Sequence, residues 1–130
     1  MAKQFTLGKE ERLKSRKQTE QLFSVGKKFT LAPFRVYYLQ NSAENFLFKV
    51  GAGVSTKSFK KATDRNRIKR LIRETYRLQK SILPERLKDQ KMHLNFFIIY
   101  TGKELPDYKV VYDKMGKLLD KLCTLIQEIN

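Results

Sequence analysis

Only 13 of the 130 residues are acidic, one is cysteine, one is histidine and none is tryptophan. Each scarcity excludes something. With Cys123 alone there is no disulfide framework and no cysteine metal cluster. Three prolines and six glycines are too few for a long linker, and no repeat or low-complexity tract appears, so residues 1–130 read as one domain. No apolar run approaches the roughly 18–20 residues that cross a bilayer, and Met1-Ala2-Lys3-Gln4 opens no signal peptide; a cytoplasmic location is expected. A two-metal nuclease needs several carboxylates converging on one site, whereas the acids here are scattered. His93 stands just before an apolar stretch and reads as an ordinary strand residue rather than a general base. Neither a Gly-rich phosphate loop nor a Ser/His/Asp set is present. The polypeptide is expected to carry no catalytic residue, no metal and no cofactor of its own.

Cations are what the chain has in excess. Twenty-eight Lys and Arg give a net charge of +15 and a pI near 10. A small domain so charged repels itself, and solubility alone asks for a net magnitude of only about 2–8. A polyanionic partner is the economical explanation, with nucleic acid first and an anionic membrane second. Nine Phe and six Tyr within 41% hydrophobic residues suffice for a modest core.

Residues 1–12 lack periodicity and are expected to form a loose arm. Ser15, with Gln18 three residues on, begins a helix over about 16–25 that stops at Gly26 through a left-handed exit. Strands are expected at Phe29 to Leu31, at Phe34 to Leu39 and at Phe46 to Ser55, with a turn over 41–45. Gly51 and Gly53 inside the third strand suggest a bulge or a close neighbour. A helix from about Ala62 to Lys80 follows. Leu94 to Tyr100 is nearly continuous in apolar residues and reads as a central strand. After a loop with Pro106, a helix over about 109–128 carries Val111, Met115, Leu118, Leu119, Leu122, Cys123, Ile126 and Ile129 at helical spacing. That stripe is core, and Cys123 belongs to it. The order is α+β, a sheet covered by helices.

The segment from Lys57 to Lys80 holds ten basic residues and two acids, a local charge of +8. At 3.6 residues per turn, Ile68, Leu71, Ile72, Thr75 and Leu78 share one arc. Arg65, Asn66, Lys69, Arg70, Arg73 and Arg77 share another, with Arg67 and Glu74 beyond its far edge. A solvated face usually mixes charge signs; this one is nearly all cation. Arginine's planar fork engages phosphate bidentately and stacks on bases, and Asn66 can both donate and accept. Nucleic acid is therefore the expected partner. DNA reading in a major groove fits least, because base-reading helices seldom present an almost wholly cationic face.

The run Ala62-x-x-Arg65-Asn66-Arg67-Ile68-Lys69-Arg70-x-x-Arg73-Glu74 closely resembles the signature of bacterial ribonuclease P proteins. Gly51-Ala52-Gly53-Val54-Ser55-Thr56-Lys57 is similar to that family's strand leading into the same helix. Arg12-Leu13-Lys14 and Leu22-Phe23-Ser24-Val25-Gly26 resemble its first helix and exit. The resemblance spans roughly residues 12–101, and the final helix matches in pattern only.

What the resemblance implies is an αβββαβα sandwich with a mixed sheet and a left-handed crossover through the basic helix, like the second domain of a small-subunit ribosomal protein. It implies a protein subunit of an endoribonuclease whose RNA subunit, using Mg2+, removes the 5′ leader of precursor tRNA. Two partners follow: the catalytic ribonuclease P RNA and the leader, with neither membrane nor DNA expected. Lys57, Lys60, Lys61, Arg65, Asn66, Arg67, Lys69, Arg70, Arg73 and Arg77 form the RNA-binding set. Phe23, Tyr37 and Arg35 form the leader cleft, where aromatic faces can stack bases without sequence preference. Two positions depart from the family's pattern. Thr19 stands where an aromatic or large apolar residue is common, which implies weaker stacking. Thr56 replaces the first of two lysines, which removes one phosphate contact. A ribosomal or rRNA-binding structural role is the alternative.

Overall fold

Alternation and β-branching set the strands. A computed structural model of the chain describes residues 12, 13, 15–42, 47–87 and 92–129. The helix α1 is Arg16–Val25, the strands are β1 Lys27–Leu31, β2 Phe34–Ser42, β3 Leu47–Val54 and β4 Met92–Tyr100, and the remaining helices are α2 Ala62–Gln79, α3 Ile82–Leu87 and α4 Tyr108–Ile129. The strands form one sheet in the order β1-β2-β4-β3. β1 and β4 run antiparallel to β2, and β3 runs parallel to β4. The parallel pair is joined through α2 and α3, so the expected mixed α+β sheet is what forms. Of the expected loose arm only Arg12 is among the described residues, and it bridges to Val50.

On one face of the sheet Phe34, Val36, Tyr38, Val50, Ala52, Leu94, Phe96, Ile98 and Tyr100 pack with α2, α3 and α4 into a single buried cluster. The α4 stripe contributes Val111, Met115, Leu118, Leu119, Leu122, Cys123 and Ile126, as its spacing required, while the side chain of Ile129 lies outside the described residues. Burial pushes the Cys123 thiol up to about 11, with Arg86 opposing that rise and Asp120 adding to it. Its thiolate fraction at pH 8 is then about one in a thousand. Thiol reagents are expected to leave the native protein unmodified at that pH and to label it only after unfolding; labelling of native protein at the rate of a free thiol would place Cys123 outside the core.

The other face carries α1. Ser15 caps it, its hydroxyl accepting from Gln18 N at 3.2 Å. Leu22 is fully buried yet outside the main cluster, the mark of a separate contact across the sheet.

Several expectations need correction. Gly26 ends α1 in an extended conformation (φ −73°, ψ 162°), not a left-handed one. Glycine is required there by crowding: a Cβ would lie 2.3 Å from the Leu22 carbonyl oxygen and 3.0 Å from that of Tyr38. Asn41 and Ser42 are strand rather than turn, because they pair with His93 and Met92 of the long β4; the rest of that expected turn lies outside the described residues. The short α3 adds an element that the sequence reading lacked. Its Pro84 sits in the first turn, where the missing N–H has no helical partner to lose, and Leu83 and Leu87 are buried one turn apart. On α2, Leu78 is exposed and Tyr76 is buried, the reverse of expectation for Leu78. Tyr76 meets Phe96 edge-on with centroids 5.5 Å apart, which rolls the helix toward Tyr76 and lifts Leu78 out.

Candidate RNA interface

Ile68, Ile72, Thr75 and Tyr76 bury one side of α2 against the sheet. The opposite side turns Asn66, Arg67, Arg70 and Arg73 to solvent. Among the described residues, none of these three arginines makes an ion pair or hydrogen bond through its side chain. Lys57, Lys60 and Lys61 are exposed on the segment that leads into the helix, and Lys69 is half-buried at the ridge's flank. Asp64 stands in the first turn, where the helix dipole favours an anion.

Two residues of the expected set are placed differently. Arg65 is half-buried, and its Nη1 donates to the carbonyls of Phe59 at 2.9 Å and Lys60 at 2.7 Å. It braces the approach to α2, so part of its donor fork is turned inward. Arg77 is engaged by Glu74, Nη2 to Oε1 at 2.5 Å, which offsets its charge. The free ridge is thus narrower than the +8 of the segment suggests. Arg65→Ala is expected to lower stability by about 1–3 kcal/mol, because the buried Phe59 backbone loses its donor. Arg67→Ala should leave stability within about 0.5 kcal/mol. Paired thermal melts check this, and equal melting temperatures for the two variants would refute the brace.

The second surface lies under α1. Strand alternation puts Arg35, Tyr37 and Leu39 of β2, His93, Asn95, Phe97 and Ile99 of β4, and Lys49, Gly51 and Gly53 of β3 on the face away from the main core. Phe23 of α1 reaches down to it, 42% exposed, with its ring 4.9 Å from Tyr37 and 5.2 Å from Phe97, both edge-on. The three expected cleft residues therefore share one face, with Phe23 and Tyr37 in contact and Arg35 exposed two residues along β2. Thr19 brings no ring; its hydroxyl donates to the Ser15 carbonyl at 2.9 Å.

Phe97 is the residue that sequence reading missed. Tyr37, Phe97 and Gly51 stand side by side across three strands. A Cβ on Gly51 would lie 2.4 Å from Phe97 Cδ2, and one on Gly53 would lie 2.6 Å from its Cε1. The register between β3 and β4 is unbroken, so the two glycines mark no bulge. They leave room for a phenylalanine ring lying over the outer strand. The signal was present in the two glycines, but not the ring that occupies the space.

Among the described residues no group of His, Cys, Asp and Glu could hold a metal ion, and no helix is long and apolar enough to cross a membrane. His93 sits second in β4 and is half-buried.

Known proteins share both the sequence and the shape. The family model for ribonuclease P matches residues 7–123. The ribonuclease P protein component of Porphyromonas gingivalis strain W83 is 35% identical over 119 residues, 91% of this chain and 87% of that one. That of Dictyoglomus thermophilum is 32% identical over 126 residues, 95% and 98% of the two chains. The ribonuclease P protein of Thermotoga maritima superposes with a TM-score of 0.67 at 28% identity, covering 85% of this chain and 96% of its own. The Staphylococcus aureus ribonuclease P protein gives 0.68 at 22% identity, covering 88% and 96%, and speaks to the fold. The basic ridge and the aromatic face thus sit on a scaffold with a history in tRNA processing, and the chain belongs to the bacterial ribonuclease P protein family.

Proposed function

We propose that the chain binds the catalytic RNA of ribonuclease P through the exposed face of α2 and receives the 5′ leader of precursor tRNA on the open sheet face beneath α1. The RNA, with its Mg2+, performs the endonucleolytic cut in the cytoplasm; the protein neutralises phosphates, holds the leader and so supports Mg2+ occupancy in the RNA. The observation that carries the first half is the ridge of Asn66, Arg67, Arg70 and Arg73, exposed together with no described acid among their partners. Guanidinium groups so placed form bidentate contacts with phosphate, and Asn66 can reach a base edge or a ribose hydroxyl. Lys57, Lys60 and Lys61 extend the same field along the approach to the helix.

The second half rests on Phe23, Tyr37 and Phe97, whose partly exposed rings lie on a face that also carries Arg35 and Lys49 and no acid among its described residues. A single strand stacks on such rings whatever its sequence, at about 1–3 kcal/mol per base. Equilibrium binding of the full chain to ribonuclease P RNA over a series of salt concentrations tests the reading. Affinity should fall steeply with salt and exceed that for an unrelated structured RNA of equal length. Equal affinity for the two RNAs would favour a general rRNA-type binder.

A further inference from the structure

Where α4 begins, its apolar stripe overruns the core. At 3.6 residues per turn Tyr108 and Tyr112 fall on the same side of the helix as Met115, Leu119 and Leu122, all fully buried. Yet Tyr108 is 45% exposed and Tyr112 37%. Their rings lie against each other, with centroids 6.1 Å apart and planes 29° from parallel.

This end of α4 is tied to the helix that carries the cationic ridge. Gln79, the last residue of α2, donates through Nε2 to the Tyr112 carbonyl at 2.9 Å. Gly116 admits it, since a Cβ there would lie 2.8 Å from Gln79 Oε1. Leu78, the neighbour of Gln79, is exposed and lies in the same row along α2 as Arg67, three turns back. That row leads from the ridge to the turn that carries Tyr112. From Arg73 to Gln79 is about 9 Å of helix, no more than a few nucleotides of a stacked strand at about 3.4 Å each. The two parts differ in charge. Residues 103–114 hold three lysines and three acids, which balance, whereas the segment from Lys57 to Lys80 carries +8.

From these observations, and resting on the reading that α2 binds the catalytic RNA, we propose that Tyr108 and Tyr112 stack an unpaired base of that RNA beside the phosphates held on the ridge. A patch with balanced charge adds little to phosphate binding, but a base presents an uncharged π-face, and stacking needs no cation. Paired positions hide their base faces, so the ligand is a base from a loop or bulge. A tyrosine has few side-chain torsions to fix, and these two rings already rest on each other, so a base costs them little freedom. A second copy of the chain is the less favourable occupant, because it would bring another +15 and a second ridge close to the first.

The test is equilibrium binding of the full chain to ribonuclease P RNA over a salt series, with Tyr108 and Tyr112 changed together to Ala, Leu or Phe. The alanine pair should weaken binding about tenfold at every salt concentration, the stacking of about one base, and leave the salt slope unchanged. The phenylalanine pair should bind within about twofold of the unsubstituted chain, since the π-face is kept. The leucine pair keeps apolar area without a π-face and should bind as weakly as the alanine pair. Full binding by the alanine pair, or binding restored by leucine, would overturn the stacking site. A lowered salt slope would overturn it too, by making the contact one with phosphate. If the alanine pair binds RNA normally but abolishes self-association of the chain in sedimentation equilibrium, the patch joins two copies instead. If the unsubstituted chain binds ribonuclease P RNA no better than an unrelated structured RNA, the reading of α2 fails and the stacking site with it. Where that preference stands, each of the earlier contrary outcomes counts against the stacking site alone.

Discussion

Replacing Arg67, Arg70 and Arg73 together by alanine is expected to weaken binding to ribonuclease P RNA by on the order of a hundredfold at 0.15 M salt. Each phosphate neutralised on a duplex releases about 0.9 of a counterion, so three lost contacts lower the salt slope by about 2.7 and the affinity by about two powers of ten near physiological salt. The prediction is sharp because the three side chains are exposed and none braces the fold. Alanine is a better helix former than arginine, and removal of three like charges relieves repulsion along the ridge, so stability should hold or rise. A matched control is Lys114, Lys117 and Lys121 on α4, changed to alanine together. The control alters net charge equally but lies on another helix, so it should shift the slope far less. Equal shifts from the two triple variants would mean that net charge, not the α2 ridge, governs binding.

The second large effect concerns the frame that presents the ridge. Phe96→Ala is expected to cost about 3–5 kcal/mol, a large part of the roughly 5–15 kcal/mol that holds a domain folded. Phe96 is fully buried, stands between Tyr38 and Val50 in register, and meets Tyr76 of α2 edge-on. Its loss opens a cavity beneath the helix. Phe97, one residue on, points to the other face and is only half-buried, so Phe97→Ala should cost far less while reducing affinity for leader-bearing substrate. Urea unfolding of the two variants separates them: a lower midpoint with an unchanged slope for Phe96→Ala, and a small shift for Phe97→Ala. Similar midpoints would contradict the assignment of β4's two faces.

That contrast also shows where sequence reading reached its end. α2, α4 and the start of α1 were legible because periodicity extends over several turns and Ser15 supplies a cap. β4 was legible as a strand, yet its run from Leu94 to Tyr100 is apolar on both sides, so period two could not divide core from cleft. Only the position of α1 does that, and nothing local in β4 encodes it. Leu78 and Tyr76 lie at the border of the buried arc, where the helix's roll is decided by the Tyr76 contact with Phe96 across the fold. The inward turn of Arg65 depends on the backbone from Phe59 to Lys60 returning beneath the helix, which no residue pattern announces. Gly51 and Gly53 were marked as unusual by their composition alone, and their purpose needed Phe97 in place. The α3 turn fell below the length at which periodicity can be read.

Under the proposed function two surfaces divide the labour. The α2 ridge would meet a folded RNA through charge, a salt-sensitive contact, with Asn66 setting the register. The aromatic face would meet a flexible strand through stacking, which is less salt-sensitive and tolerant of sequence. The protein's proposed work is to bring two polyanions together against their repulsion. Added Mg2+ can perform the same screening, so the protein's benefit should be largest when the ion is scarce.

Cleavage of precursor tRNA by ribonuclease P RNA at low Mg2+, with and without this chain, is therefore the most direct measurement. Processing should be rescued by the chain, more strongly for leader-bearing substrate, and the benefit should fade as Mg2+ rises. An unchanged cleavage rate at every Mg2+ concentration would contradict the role assigned to the cationic ridge.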